Sequence, residues 1–285
     1  MIIFLSDGRL GNQLFQYAFL NTIAKEKEII LTANMEQLVD KFEIGNKFFR
    51  HLKLGKFSLF FTKKILKPYF LQLLVKMRIF SYIKQERNEI SVLPSYKEKN
   101  GFLPITLVET NFFQSESFFD NEKVNFKIKE RYIQEAEEFF QSTPKDTTNI
   151  FVHVRRGDYI FESYLGEQGI ELPKEYFEKA IEEIAKDIEN PFFIFLSDDP
   201  GYVECCFKDL ENKIVSKNSM ATDLAIMNLC EYGVVSNSSF SWWGAYMMQS
   251  RKKVIFPKYW YGWKQKIESH IGIQPTWSEV IEVEK

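Results

Sequence analysis

Cysteine and histidine are scarce in this chain, and each scarcity closes off a class of function. Three cysteines, Cys205, Cys206 and Cys230, give no disulfide framework, and the adjacent pair could close only a strained ring. A reducing cytoplasm suits them. With only three histidines alongside, no zinc-binding spacing can be drawn, and no structural metal is expected. Apolar runs are short as well. None reaches 18 residues, so no membrane span is expected, and Met1-Ile2-Ile3-Phe4-Leu5-Ser6-Asp7 has no basic leader and reads as a first strand rather than a signal peptide. The formal net charge is −2, which provides no excess of cations for a nucleic-acid partner.

Aromatics are plentiful. Twenty-eight Phe and 13 Tyr in a chain that is 45% hydrophobic argue for a packed globular protein and against disorder. At 285 residues there is room for two domains, and the turn-rich stretch Ser142-Thr143-Pro144-Lys145-Asp146-Thr147-Thr148-Asn149 divides them into 1–145 and 146–285. Charge is unevenly spread: residues 41–90 hold twelve Lys or Arg against three Asp or Glu. Phe, Leu and Ile alternate with these cations. The pattern fits a basic helical insertion, broken into two helices at Pro68, that either lies on an anionic membrane or forms an ordinary helical layer with a solvated lysine face.

Both halves read as α/β. In the first, Ile2 to Leu5 is a buried-type strand, the loop Gly8-Arg9-Leu10-Gly11 follows, and apolar residues from Leu14 to Ile23 have helical spacing. Ile29 to Leu31 and Leu107 to Thr110 are further strands, and Phe126 to Phe140 is helical. The Gly-x-x-Gly spacing is neither a dinucleotide fingerprint nor a P-loop, and a simple tight turn accounts for it better than a ligand does. In the second half, Ile150 to Val154, Phe192 to Leu196, Ile214-Val215, Gly233 to Val235 and Val254 to Pro257 alternate with helices at Lys174 to Ile188, Asp223 to Cys230 (capped by Thr222) and Trp242 to Met248. This is the βαβ pattern of a doubly wound parallel sheet.

Every strand in that half ends in polar residues, among them His153, Arg155, Arg156, Asp158, Asp198, Asp199, Ser236, Asn237, Ser238 and Ser239. Open α/β sheets bind ligands at such carboxyl ends. Guanidinium forks and hydroxyls suit phosphate, and carboxylates suit the N–H donors of a base, so a nucleotide is the economical ligand. Ser238 and Ser239 precede a helix and could cap it or help hold an anion.

Three blocks together resemble the α-1,2-fucosyltransferases of glycosyltransferase family 11, in a bacterial form. They are Gly8-Arg9-Leu10-Gly11-Asn12-Gln13-Leu14-Phe15-Gln16-Tyr17-Ala18, His153-Val154-Arg155-Arg156-Gly157-Asp158-Tyr159, and Ser236-Asn237-Ser238-Ser239-Phe240-Ser241-Trp242-Trp243-Gly244. The resemblance implies a GT-B-like fold of two facing Rossmann-type domains with parallel sheets, the first on the acceptor side and the second holding the nucleotide. It implies GDP-fucose as donor and inverting transfer to the 2-hydroxyl of a galactose-like residue of an oligosaccharide. Arg155 would grip the β-phosphate, and His153 and Asp223 would read the guanine. Ser238, Ser239 and Phe240 would line the pocket, with Arg156 and Gly11 also on the donor side and Asn12 near the reacting centre.

With no Asp-x-Asp triplet, Arg155 takes the place of a metal and activity is expected without one; no cofactor is implied. Asp158 is either the base that deprotonates the acceptor or the partner that orients an arginine. Phe112 and Phe113, with Tyr159, are the candidates for stacking on the acceptor sugar. A cytoplasmic enzyme of surface-glycan synthesis is the implied setting; a lipid-linked acceptor would place it on the inner face of the membrane, with 41–90 as the contact. Transfer with α-1,6 or protein O-linkage, a non-catalytic GDP-sugar binder, and adhesion through Arg156-Gly157-Asp158 are the competing readings.

Overall fold

The structure is a computed structural model that describes residues 1–86, 94–124 and 126–284. It divides into two compact units, Met1–Lys127 and Ile128–Lys285. The division falls ahead of the turn-rich 142–149 stretch because the amphipathic helix Glu130–Gln141 packs on helix Met220–Leu229 of the second unit. A bond from Thr222 Oγ1 to the Glu135 carboxylate ties these two helices together.

In the first unit six strands lie in the spatial order Phe49–Leu52, Ile30–Ala33, Ile2–Leu5, Thr106–Val108, Ser81–Gln85, Tyr96–Lys99, and only the last pairs antiparallel. The chain starts in the middle of this sheet, so strand order reverses beside Ile2–Leu5. Helix Leu10–Ile23 begins earlier than its apolar spacing suggests, which puts Gly11 inside the helix and leaves Gly8, at φ +83°, as the loop glycine. Two glutamines of the first motif brace this turn. Gln16, fully buried, accepts from Ser6 Oγ at 2.6 Å and donates to the carbonyls of Asp7 and Asn111, both at 3.0 Å; Gln13 Oε1 accepts from the Leu38 N–H at 3.0 Å.

The basic stretch is less helical than its composition suggests. It also contributes strands Phe42–Ile44, Phe49–Leu52 and Ser81–Gln85, and its residues 87–90 lie outside the described residues. Between these strands Pro68 does not break the chain into two helices. Lys56–Phe61 is α-helical, Thr62–Leu71 is π-helical with Pro68 inside it, and Gln72–Lys76 is α-helical again. A proline ring collides with the carbonyl four residues back in an α-helix; the wider π turn moves that carbonyl aside. Widening has a second effect. Phe57, Phe61, Ile65, Tyr69, Leu73 and Met77 recur every four residues and are all exposed, Phe57 at 82%. On a pure α-helix that spacing drifts around the axis, and the π turns reverse the drift.

The second unit is a doubly wound sheet in the order Lys213–Val215, Pro191–Ser197, Thr148–Val154, Tyr232–Val234, Lys253–Pro257, Glu279–Ile281, all parallel. The sixth strand is one the sequence pattern did not suggest. Three further local readings change. Phe126–Ile128 is a strand, so the expected 126–140 helix shortens to Glu130–Gln141. Ser219, not Thr222, caps helix Met220–Leu229, its side chain accepting from the Thr222 N–H. Helix Ser239–Tyr246 starts three residues before Trp242. The core of this unit joins Ile150, Val152 and Val154 to Phe193, Phe195, Phe177, Val234 and Ile255, all nearly or fully buried.

Candidate functional site

Strand Thr148–Val154 lies at the point where strand order reverses: the chain goes from it to Pro191–Ser197 on one side and returns to Tyr232–Val234 on the other. Ligands of open α/β sheets bind in the crevice at such a point. Register then sets the site. Ser197 pairs with Val154, so Asp198 emerges level with Arg155.

Arg155 is held from both ends of its fork. One terminal nitrogen lies 2.7 Å from Asp198 Oδ2, the other donates to Asp158 Oδ1, and the guanidinium stands 5.1 Å over the Tyr159 ring. Its side chain is only 15% exposed. Gly157 makes this possible: a Cβ at that position would come within 2.2 Å of Asp198 Oδ2. Arg156 turns elsewhere, with Nε 3.2 Å from Asp199 Oδ2, its guanidinium 4.1 Å over the Tyr202 ring, and its backbone N–H donating to Asp198 at 2.9 Å.

His153 is buried under this cluster. Its Nδ1 shares a 2.7 Å hydrogen bond with Ser236 Oγ, and its ring lies 5.4 Å from that of Phe240. Burial, reinforced by the nearby Arg155 charge, lowers its pKa to about 3, so the imidazole is neutral at any physiological pH. Asp223 shows the opposite effect. Burial raises its pKa to about 7 despite a 2.5 Å bond from Ser216 Oγ. A carboxyl in such a place gains most from a ligand that brings N–H donors.

Ser238 caps helix Ser239–Tyr246 by accepting from the Phe240 N–H at 3.3 Å, and Ser239 is the first helical residue. The cap and the N–H groups at the start of this helix therefore belong to the same turn. Tyr159 is half-buried and bonds through its hydroxyl to Tyr261 at 3.1 Å and to the Asn237 carbonyl at 3.3 Å. The structure thus gathers His153, Arg155, Asp158 and Tyr159 and brings Ser236 to His153. It adds Tyr202 and Tyr261, which lie in stretches without a motif and gave no signal; Asp223, with Ser216, forms a separate pair that makes no contact with this cluster among the described residues.

The remaining candidates belong to the first unit. Asn12, in the first turn of its helix, accepts from Gln114 Nε2 at 2.7 Å. Phe113 leaves the acceptor set. It is fully buried and stacked on Phe19 with ring centroids 3.9 Å apart, so no sugar can reach its face. The aromatic loop turns it inward at φ +52°. Phe112 stays half-buried.

The glycosyl transferase family 11 model matches residues 1–279. An O-antigen biosynthesis glycosyltransferase, WbnK of Escherichia coli, is 25% identical over 91% of this chain and 95% of its own length. An alpha-1,2-colitosyltransferase of the same organism is 28% identical over 84% of this chain and 85% of its own. A mouse galactoside 2-alpha-L-fucosyltransferase, Sec1, is 25% identical over a shorter region, 43% of this chain and 36% of its own. The fold recurs in the NodZ alpha-1,6-fucosyltransferase co-crystallised with GDP, at TM-score 0.54 and 9% identity over 87% of this chain and 92% of that one. It recurs also in a glycosyl transferase family 9 protein of Veillonella parvula, at TM-score 0.54 and 13% identity over 98% and 86%. The architecture is GT-B-like, two α/β units each with its own largely parallel sheet, and with a family match running through both units the chain belongs to glycosyl transferase family 11.

Proposed function

We propose that this protein transfers L-fucose from GDP-fucose to the 2-hydroxyl of a galactose-like residue, with inversion and without a metal. One observation carries the reading: an arginine pinned at the reversal point of the second sheet, beside a neutral buried histidine. In such a transfer the bond from the sugar's anomeric carbon to the β-phosphate oxygen breaks, its electron pair leaves on GDP, and the acceptor oxygen attacks from the opposite face. Negative charge grows on the phosphate while the sugar becomes oxocarbenium-like, so a fixed cation at the leaving oxygen lowers the barrier. Arg155 supplies it, aided by the N–H groups before Ser239–Tyr246. His153 and Asp223 face the guanine, the latter as acceptor for its N–H groups.

The acceptor hydroxyl's proton needs a base. Asp158 was one candidate, and its bond to Arg155 favours the orienting role over the base role. Asn12 and the first unit's Phe112, with Tyr159, stand on the acceptor side of this proposal. The α-1,2-colitosyltransferase relative supports a second reading, in which colitose replaces fucose in the donor. Transfer from each donor to a galactoside, followed by linkage analysis of the product, decides between them. A product linked elsewhere than at the 2-hydroxyl, or no turnover at all with GDP-fucose bound, overturns the main reading. Full activity in excess EDTA is expected; loss restored by manganese refutes metal independence.

The exposed stripe from Phe57 to Met77 supports an inner-membrane setting, with a lipid-linked acceptor. It runs through a stretch of twelve cations and three acids, the composition that attracts helices to anionic bilayers. Among the described residues no helix is long and apolar enough to cross a membrane.

A further inference from the structure

The first unit contains a cavity of about 530 Å³ that the donor site does not use. It opens at the carboxyl ends of two parallel strands next to the reversal point of that sheet: Thr110 and Asn111 follow Thr106–Val108, and Lys84 and Gln85 end Ser81–Gln85. Lys63 and Lys67 line it from the π-helical segment. This is the place in an α/β sheet where a ligand is expected.

Its charges do not balance. Three lysines meet one carboxylate, Glu109, in the lining. Lys63 is neutralised by Asp7, 3.0 Å away, and Lys84 approaches Glu109 Oε1 at 3.7 Å, an oxygen that also accepts from the Tyr82 hydroxyl at 3.1 Å. Lys67 has no such partner. Its ammonium donates to Thr110 Oγ1, whose own proton goes to the Leu5 carbonyl at 2.6 Å, and among the described residues no carboxylate lies within ion-pair distance of it. Burial lowers its pKa, with Glu109 and Asp7 only partly opposing. A neutral saccharide is recognised by amides, hydroxyls and aromatic faces and calls for no desolvated cation. An unneutralised ammonium with two N–H bonds to spare calls for an anion.

We propose that this cavity is an acceptor subsite for an anionic group, a sugar carboxylate or a phosphate, carried by the glycan near the residue that is modified, with Lys67 as its main contact. The inference rests on the glycosyltransferase reading for the word acceptor, and on the cavity alone for the anion. A carboxylate would come from an acidic sugar, a phosphate from the lipid-diphosphate end of a precursor.

The test compares three acceptors at low salt: a neutral galactosyl disaccharide, the same disaccharide with a reducing-end phosphate, and a galactosyl–glucuronic acid disaccharide. Binding to the full chain is measured by calorimetry without donor, and KM and kcat by transfer. At least one acidic acceptor is expected to bind about tenfold more tightly than the neutral one, with the gain in KM rather than kcat. Preference for the phosphate identifies the lipid-diphosphate source, and preference for the uronate identifies an acidic sugar. Lys67→Met should abolish the preference and Lys67→Arg should restore most of it, which separates lost charge from a damaged fold. Equal binding of all three by the native protein, or a preference that survives Lys67→Met, overturns the proposal. Absence of GDP-fucose binding would instead remove the donor reading and leave the calorimetric preference for acidic acceptors standing.

Discussion

Asp223→Asn should stabilise the protein at alkaline pH while weakening its hold on GDP. In the free protein this carboxyl titrates at about 7, against 3.8 for an unburied aspartate, because burial opposes its ionisation. The folded state therefore keeps a proton that the unfolded chain gives up. Between pH 4 and pH 7 each rise in pH favours the unfolded chain, and above 7 both forms are ionised and the loss stops growing. From pH 5 to pH 8 the wild type should lose roughly 2–3 kcal/mol through this one group. Asparagine is isosteric, keeps the acceptor for Ser216 Oγ and has no charge to bury, so its stability lacks that slope. Guanine would feel the reverse: a bond to a charged acceptor contributes about 1.5–3 kcal/mol, so GDP affinity should fall roughly 10- to 100-fold at pH 8. Urea titrations at pH 5 and 8 and calorimetry with GDP measure both. Parallel stability curves for wild type and variant would refute the buried-carboxyl argument, and unchanged GDP affinity would remove Asp223 from the guanine site.

Gly157→Ala brings a methyl carbon within 2.2 Å of Asp198 Oδ2 and should displace that carboxylate from Arg155, raising the GDP-fucose KM about tenfold; an unaltered KM would show the pair to be dispensable. Arg155→Lys keeps a charge but loses the fork, and kcat should fall by about 100-fold or more in a transfer assay with little change in melting temperature. Phe113→Ala should cost about 3–5 kcal/mol in urea unfolding without a specific rise in acceptor KM, as expected for a residue of the core. Vesicles of anionic lipid should retain the chain at low salt and release it at high salt, and Phe57→Ser with Tyr69→Ser should abolish retention; equal binding to neutral vesicles would exclude the electrostatic part.

Much of the second unit could be read from its residues. Its strands are short apolar blocks that stop at polar residues, and a parallel sheet buried on both faces makes just that pattern; His153, Arg155 and Asp158 could be placed together because they are neighbours on one strand end. Asp198 could be placed only as another strand end, since its contact with Arg155 depends on a register that no local pattern encodes. Tyr202 and Tyr261 were beyond reach for the same reason. In the first unit, Phe112 and Phe113 looked alike, and the positive φ that sends Phe113 into the core is a backbone property of a non-glycine residue that composition does not announce. Pro68 misled because the usual consequence of proline holds for an α-helix, and here the helix is wound differently.

Arg155, fastened by two carboxylates and an aromatic ring, has already surrendered its rotamer freedom when the chain folds. Ordering a long side chain at the moment of binding costs about 0.5–1.5 kcal/mol, and here that entropy is lost before any ligand arrives. The same clamp makes the arginine selective. Its positive charge is shared with Asp158 and Asp198, so a lone weak anion gains little by approaching, whereas under the proposed function a ligand whose guanine also reaches Asp223 and whose phosphates reach the helix N–H groups would draw on several contacts at once. Under the proposed function, fastening the arginine would thus favour a whole nucleotide over the loose phosphate that any cell contains.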